Sequence, residues 1–290
     1  MAEPLPICYL NGEFLALRNA RISPLDRGFL YADGVYEVMP VYGGAPFRYP
    51  QHMARLARSM REIRQRDPCT ALRWRELTRE MIDRNGRGDQ YIYIQVSRGA
   101  EYGRNHAPLP DIEPTLFMFC APWPATTAQQ LAHGIGCVTA QDTRWARCDI
   151  KSVSLLANVL LRQLACDAGA QETILLRDGQ MREASASAAH IVQDGILITP
   201  PDSQHILPST TRSVVEELAD AAGIARLTRP ISEAELRNAN EVLLSAATRE
   251  VSAVTRLDGK PVGSGLPGPV WKSLRAGFDG LKVRVAREPW

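Results

Sequence analysis

Thirty arginines carry nearly all the positive charge of this 290-residue chain, and the four lysines fall at 151, 260, 272 and 282. Lys151 is thus the only side-chain primary amine in the first 259 positions. An amine can lose its proton and attack a carbonyl, which a guanidinium cannot, so a lone lysine in an arginine-rich chain is a candidate for imine chemistry. A second set of residues suits an anion. In Ser97-Arg98-Gly99-Ala100-Glu101-Tyr102-Gly103-Arg104-Asn105-His106 a strand-like run passes into a glycine-bearing loop with donor side chains at 104 and 106. Arginine grips a carboxylate through two parallel hydrogen bonds and a nearby histidine adds a third donor, which makes a carboxylate the natural guest; an exposed loop pair without function reads the same way.

A third set is Ser209-Thr210-Thr211-Arg212-Ser213 ahead of the apolar run Val214, Val215 and Leu218, with Ser213 and Glu216 at capping-box spacing. Amide groups at a helix start, joined by hydroxyls, can cradle a phosphate, although a plain helix cap accounts for the same residues. A phosphate cradle together with an imine-forming lysine points to pyridoxal phosphate.

These residues need elements to hold them. Residues 7–10, Asn11-Gly12 and 13–17 read as a hairpin, because Asn-Gly supplies the positive φ angles of a tight turn, and 38–42, Gly43-Gly44 and 47–49 repeat the pattern. Met53, Leu56, Met60 and Ile63 mark the apolar face of a helix, and a further helix is expected over 73–84. Strands are expected over 90–98, 115–120, 173–177, 190–199 with an interrupting turn at Asp194-Gly195, and 241–245, and helices over 211–222 and 270–278. Lys151 would sit where a strand-like segment turns into a helix capped by Ser152 and running to about 167. The Pro- and Thr-rich stretch 121–127 reads as a linker, giving an N-terminal domain over 1–121, a linker over 122–130 and a C-terminal domain over 131–290 that carries Lys151.

Composition narrows the function classes. A formal charge of +2 gives no general reason to expect nucleic acid or membrane as partner, and Arg55, Arg58, Arg61 and Arg64 read as the solvated face of the first helix. No apolar run approaches the roughly 18 residues that span a bilayer, and the first residues lack the pattern of a signal peptide, so a cytoplasmic protein is expected. The cysteines at 8, 69, 120, 137, 148 and 166 are scattered, without a Cys-x-x-Cys pair or a histidine at metal-ligand spacing; they read as reduced thiols with no metal site.

Asp26-Arg27-Gly28 with Asp33-Gly34-Val35-Tyr36-Glu37, Arg98-Gly99 with Arg104-Asn105-His106, Trp145 to Ser152, and Glu183-Ala184-Ser185-Ala186-Ser187 occur in the order and approximate spacing of class IV aminotransferases. The chain resembles that family over roughly 5–285, and within it the D-amino-acid branch. The resemblance implies an α/β, two-domain fold type IV pyridoxal phosphate enzyme, with the cofactor in the interdomain cleft and a homodimer with shared active sites. By the same resemblance Lys151 bonds the cofactor and shuttles a proton, Glu183 faces the pyridine nitrogen, and Arg55 with Thr210 and Thr211 holds the phosphate. Arg144 is placed near the phenolic oxygen, Thr248 at the cofactor, and Tyr36, Arg104 and His106 at the substrate carboxylate, the last two reaching in from the partner subunit. The reaction implied is transamination between a D-amino acid, such as D-alanine or D-glutamate, and a 2-oxo acid. Branched-chain L-amino-acid aminotransferase, aminodeoxychorismate lyase and R-amine transaminase are the alternatives on the same fold. Ala186, Ala188, Ala246 and Ala247 depart from the family's polar runs, which bears on cofactor affinity.

Overall fold

The computed structural model describes residues 3–288 and 290. The chain folds into two compact units, one of Met1–Pro124, Ile150–Ser154 and Val283–Trp290, the other of Ala125–Asp149 and Leu155–Lys282. Lys151 thus belongs with the N-terminal residues.

The first unit is built on strands β1 (Ile7–Leu10), β2 (Glu13–Ala16), β3 (Gly34–Tyr42), β4 (Ala45–Pro46), β5 (Gln90–Ser97) and β6 (Thr115–Pro122), with helices α1 (Arg27–Tyr31), α2 (Tyr49–Glu62) and α3 (Ala71–Arg84). Its six-stranded sheet has the order β2-β1-β6-β5-β3-β4, and the pairs are antiparallel. The expected Asn-Gly hairpin is present, with φ +47° at Asn11 and +107° at Gly12. Alternation along β3 and β5 turns Val35, Met39, Val41, Ile92, Ile94 and Val96 inward, where Leu56 and Met60 of α2 and Leu77 and Met81 of α3 meet them. Each such buried side chain contributes about 1.5–3 kcal/mol relative to exposure. The segment carrying Lys151 is stitched to the start of β3: Val35 bridges Ser152, the Tyr36 N–H donates to the Lys151 carbonyl (3.0 Å), and the Val153 N–H donates to the Gly34 carbonyl (3.0 Å). Position 34 has to be glycine, because a Cβ there would lie 2.8 Å from the Val96 carbonyl oxygen and 2.9 Å from the Ser97 Cα.

The second unit contains α4 (Ala128–His133), β7 (Ile135–Gln141), α5 (Leu156–Asp167), β8 (Glu172–Arg177), β9 (Gln180–Ala184), β10 (Ala188–Gln193), β11 (Ile196–Thr199), α6 (Thr210–Ala221), β12 (Arg226–Thr228), α7 (Glu233–Asn238), β13 (Glu241–Ala246), β14 (Glu250–Leu257), β15 (Lys260–Pro261) and α8 (Pro269–Val285). Its mixed sheet runs β12-β11-β10-β13-β14-β7-β8-β9, and β15 pairs with β14. Buried Ile174, Leu176, Ile191, Val242, Leu244 and Val254 form its centre. Lys260 and Lys272 are exposed, and Lys282 is bonded to buried Glu250 (2.5 Å).

Two local expectations are corrected. The helix after Lys151 starts at Leu156 and is capped by Leu155 without a side-chain bond, since the backbone of 152 and 153 is engaged with β3. Helix α6 is capped by Ser209, whose Oγ accepts from the Arg212 N–H (3.1 Å), so Ser213 lies inside the helix. Residues 190–199 reverse at the expected Asp194-Gly195 turn (φ +52° and +78°), which separates β10 from β11.

Candidate active site

The residues singled out in the sequence fall into two groups, one in each unit. In the first unit the Lys151 Nζ lies 4.1 Å from the centre of the Tyr36 ring, which stacks on Tyr93 at 5.6 Å. The Lys151 amide donates to Ser59 Oγ on α2 (3.3 Å), so the lysine is registered against both β3 and α2. One residue beyond Tyr36, on the opposite face of β3, Glu37 is completely buried. Arg55 grips it through Nε to Oε1 (2.6 Å) and Nη2 to Oε2 (2.8 Å), and His52 Nδ1 is 2.8 Å from the same Oε2. Burial pushes the Glu37 carboxyl up, but Arg55 and then His52 more than reverse this and hold it well below the usual range. Burial pushes His52 down, and Glu37 offsets only part of that. Arg55 is therefore turned inward from the arginine stripe of α2.

The loop after β5 presents Arg104 and His106, both exposed. Both gather at Tyr31 in α1, with the Arg104 guanidinium 5.0 Å and the His106 ring 5.6 Å from its ring centre. The Tyr31 Oη is buried without a hydrogen-bond partner among the described residues.

In the second unit Glu183, the last residue but one of β9, is buried. Arg144 Nη1 donates to its Oε1 (2.5 Å), and the Leu207 N–H lies 3.3 Å from each oxygen. Burial raises the Glu183 carboxyl above its ordinary value; Arg144 and the Leu207 amide offset this only in part. Arg144 is itself fixed by Asp142, which accepts from Nε (2.9 Å) and Nη2 (3.0 Å). Thr210 and Thr211 open α6, where amide N–H groups have no carbonyl partner inside the helix. Thr248 is exposed in the turn between β13 and β14. The thinned serine run has a partner of its own: Ser185 Oγ and Ser187 Oγ both donate to buried Glu172, which Arg249 Nη2 also approaches (3.4 Å). Cys148 is a buried thiol pushed up to about 11 by burial, with its Sγ donating to the Trp145 carbonyl (3.1 Å).

Sequence reasoning passed over Glu37, His52, Asp142 and Glu172 as site residues. Glu37 carried a signal, since positions 35, 37, 39 and 41 share one face of a strand and the other three are Val, Met and Val. No comparable pattern marks Asp142 or Glu172.

Comparison with known proteins gives this arrangement its family. Residues 34–257 match the model of the amino-transferase class IV family. The D-alanine aminotransferase of Staphylococcus aureus (strain MSSA476) is 37% identical over 272 residues, spanning 93% of this chain and 96% of that protein. Among solved structures, the Escherichia coli branched-chain amino acid aminotransferase superposes with a TM-score of 0.92 at 28% identity, covering 99% of this chain and 97% of that one. A T.th. branched-chain amino acid aminotransferase, solved with pyridoxamine 5'-phosphate, gives 0.89 at 26% identity, covering 98% and 96%. The chain belongs to the class IV aminotransferases, and its fold is the two-domain α/β fold type IV of these pyridoxal phosphate enzymes.

The residues present fit that cofactor. A buried carboxyl held above its ordinary value, as Glu183 is, gains from a facing cationic N–H such as a protonated ring nitrogen. The start of α6 suits a phosphate through its amides and dipole.

Proposed function

We propose that the protein transfers the amino group between a D-amino acid and a 2-oxo acid, with pyridoxal 5'-phosphate bound through Lys151. The observation that carries the reading is the loop with exposed Arg104 and His106, two donors suited to a carboxylate, in a chain 37% identical to a D-alanine aminotransferase. When bound, the cofactor supplies an electron sink for the charge left at Cα as its proton departs. Lys151 Nζ, released when the substrate's amine takes its place, would carry that proton from Cα to the cofactor carbon on the other side of the nitrogen. Glu183, bonded by Arg144, faces the ring nitrogen, and Arg144 itself lies near the phenolic oxygen. Arg55 and the Thr210 and Thr211 amides hold the phosphate, with Thr248 beside them. Tyr36, Arg104 and His106 hold the substrate carboxylate and so set which substituent of Cα faces Lys151.

The reading includes a homodimer in the cytoplasm, with Arg104 and His106 serving the partner's site. Helix α5 supports a second copy: Leu156, Val159, Leu160 and Leu164 are 73%, 60%, 60% and 48% exposed along one face, an apolar stripe suited to an interface. No helix among the described residues is long and apolar enough to cross a membrane.

Turnover of D-alanine and L-alanine by the purified protein, followed through the cofactor's absorbance, tests the reading. The D-form is expected to react at least about tenfold faster, because an L-substrate exposes its Cα–H to the lysine only by pulling its carboxylate out of the trap, a loss of about 2–5 kcal/mol. Preference for L-leucine would favour the branched-chain reading, which the structural likeness to the Escherichia coli enzyme keeps in view.

A further inference from the structure

Arg27 is 3% exposed and lies in α1, outside every set of residues given a role above. Its side chain makes a run of bonds to one loop. Nη1 donates to Glu101 and to the Asn105 carbonyl (2.6 Å), and Nη2 donates to the His106 carbonyl (2.9 Å). Nε donates to Asp33 Oδ2 (2.9 Å), and Asp33 also accepts from Arg98 Nε (2.7 Å) and Nη2 (2.9 Å). The backbone follows the same route, since the Arg27 N–H donates to the Gly99 carbonyl (2.8 Å) and Asp26 bridges Ala100. Glu101 closes the far side of the loop by accepting from the Leu109 N–H (3.0 Å). The Arg27 guanidinium also lies 4.6 Å from the centre of the Tyr31 ring, the ring on which Arg104 rests.

A planar guanidinium with five donors fits this task where an ammonium does not, because it reaches Asp33 through Nε while its two Nη groups reach Glu101 and two successive carbonyls. The two carbonyls belong to the residue between Arg104 and His106 and to His106 itself. Fixing them fixes where both side chains leave the backbone.

We infer that Arg27 is a positioning residue for substrate recognition, a buried clamp that holds the 99–109 loop so that Arg104 and His106 meet a carboxylate in one geometry. The inference rests on the carboxylate role proposed for that loop. Arg27 touches no reacting atom, so its loss weakens binding of amino and oxo acids and leaves the chemical step intact.

The experiment compares wild-type holoenzyme with Arg27→Lys and Glu101→Gln. Arg27→Lys keeps the charge but cannot hold Asp33, Glu101 and both carbonyls together; Glu101→Gln weakens the clamp from the loop side and leaves Arg27 in place. For both, KM for the preferred amino acid should rise, about tenfold or more for Arg27→Lys, with kcat per bound cofactor within about threefold of wild type. Amide hydrogen exchange over 102–109 should quicken in both, while the cofactor's absorbance stays unchanged. A fall in kcat with KM and loop exchange unchanged would mark Arg27 as structural support alone and overturn the inference, as would wild-type behaviour in both variants. Should wild type prefer an L-amino acid, the functional reading fails separately; KM is then measured with that substrate, and loop exchange decides the clamp as before.

Discussion

Lys151 owes its position chiefly to backbone bonds on either side of it, to Tyr36 and to Ser59, with its amine adding only a contact to the Tyr36 ring. Truncating its side chain should therefore leave the fold intact. Lys151→Ala is expected to fold with wild-type circular dichroism and to lose all covalent hold on pyridoxal phosphate, since no lysine lies near it in sequence to substitute. Borohydride treatment of the wild type followed by peptide mapping checks this: the cofactor should be fixed to the peptide containing residue 151, and labelling at 260, 272 or 282 would reject the assignment. At this scale the sequence was uneven in what it disclosed. Lys151 stood out by isolation, and Arg104 with His106 by the loop that follows a strand. Glu183 was reached only through the family resemblance, because a glutamate at the end of a short strand has no local mark, and its burial against Arg144 is a tertiary fact.

Strand β10 places His190 between β11 and β13 of the larger sheet, where its Nδ1 lies 2.9 Å from Thr199 Oγ1 on β11 and its Nε2 lies 3.0 Å from Ser245 Oγ on β13. Burial, and then the charge of Arg212, pushes it down to about 3. The folded value lies below the unfolded value of about 6.5, so unfolding takes up a proton between the two. The stability tied to this histidine is whole above pH ~6.5 and is lost as pH falls toward 3, at up to about 1.4 kcal/mol per pH unit. His190→Gln should remove that slope: urea unfolding between pH 6 and 4 should show the gap between the two proteins narrowing as pH falls. A constant gap would mean that His190 titrates alike in both states. Element boundaries were legible where local chemistry decided them, as at Asn11-Gly12 and along α2 and α3. They were missed where distant pairing decided, as at Ser152, a good cap by type whose backbone is drawn onto β3.

At the scale of the molecule, shared sites make a quantitative statement about mixtures. If each site takes Lys151 from one chain and Arg104 from the other, a dimer of one Lys151→Ala chain and one Arg104→Ala chain has one site with both defects and one with neither. Co-expressing the two in equal amounts should then restore about a quarter of wild-type activity per chain, half the dimers being mixed and half their sites intact. Activity no greater than the sum of the two parents would mean that each chain serves its own site. The distribution of amines has a practical side as well. Lys260 and Lys272 stand exposed on the second unit, Lys282 is tied to Glu250, and the arginines that furnish the remaining positive charge do not react with amine-directed reagents. An amine-reactive support or cross-linker is therefore expected to engage the exposed lysines on that unit and to leave the 99–109 loop, which holds no lysine, unmodified.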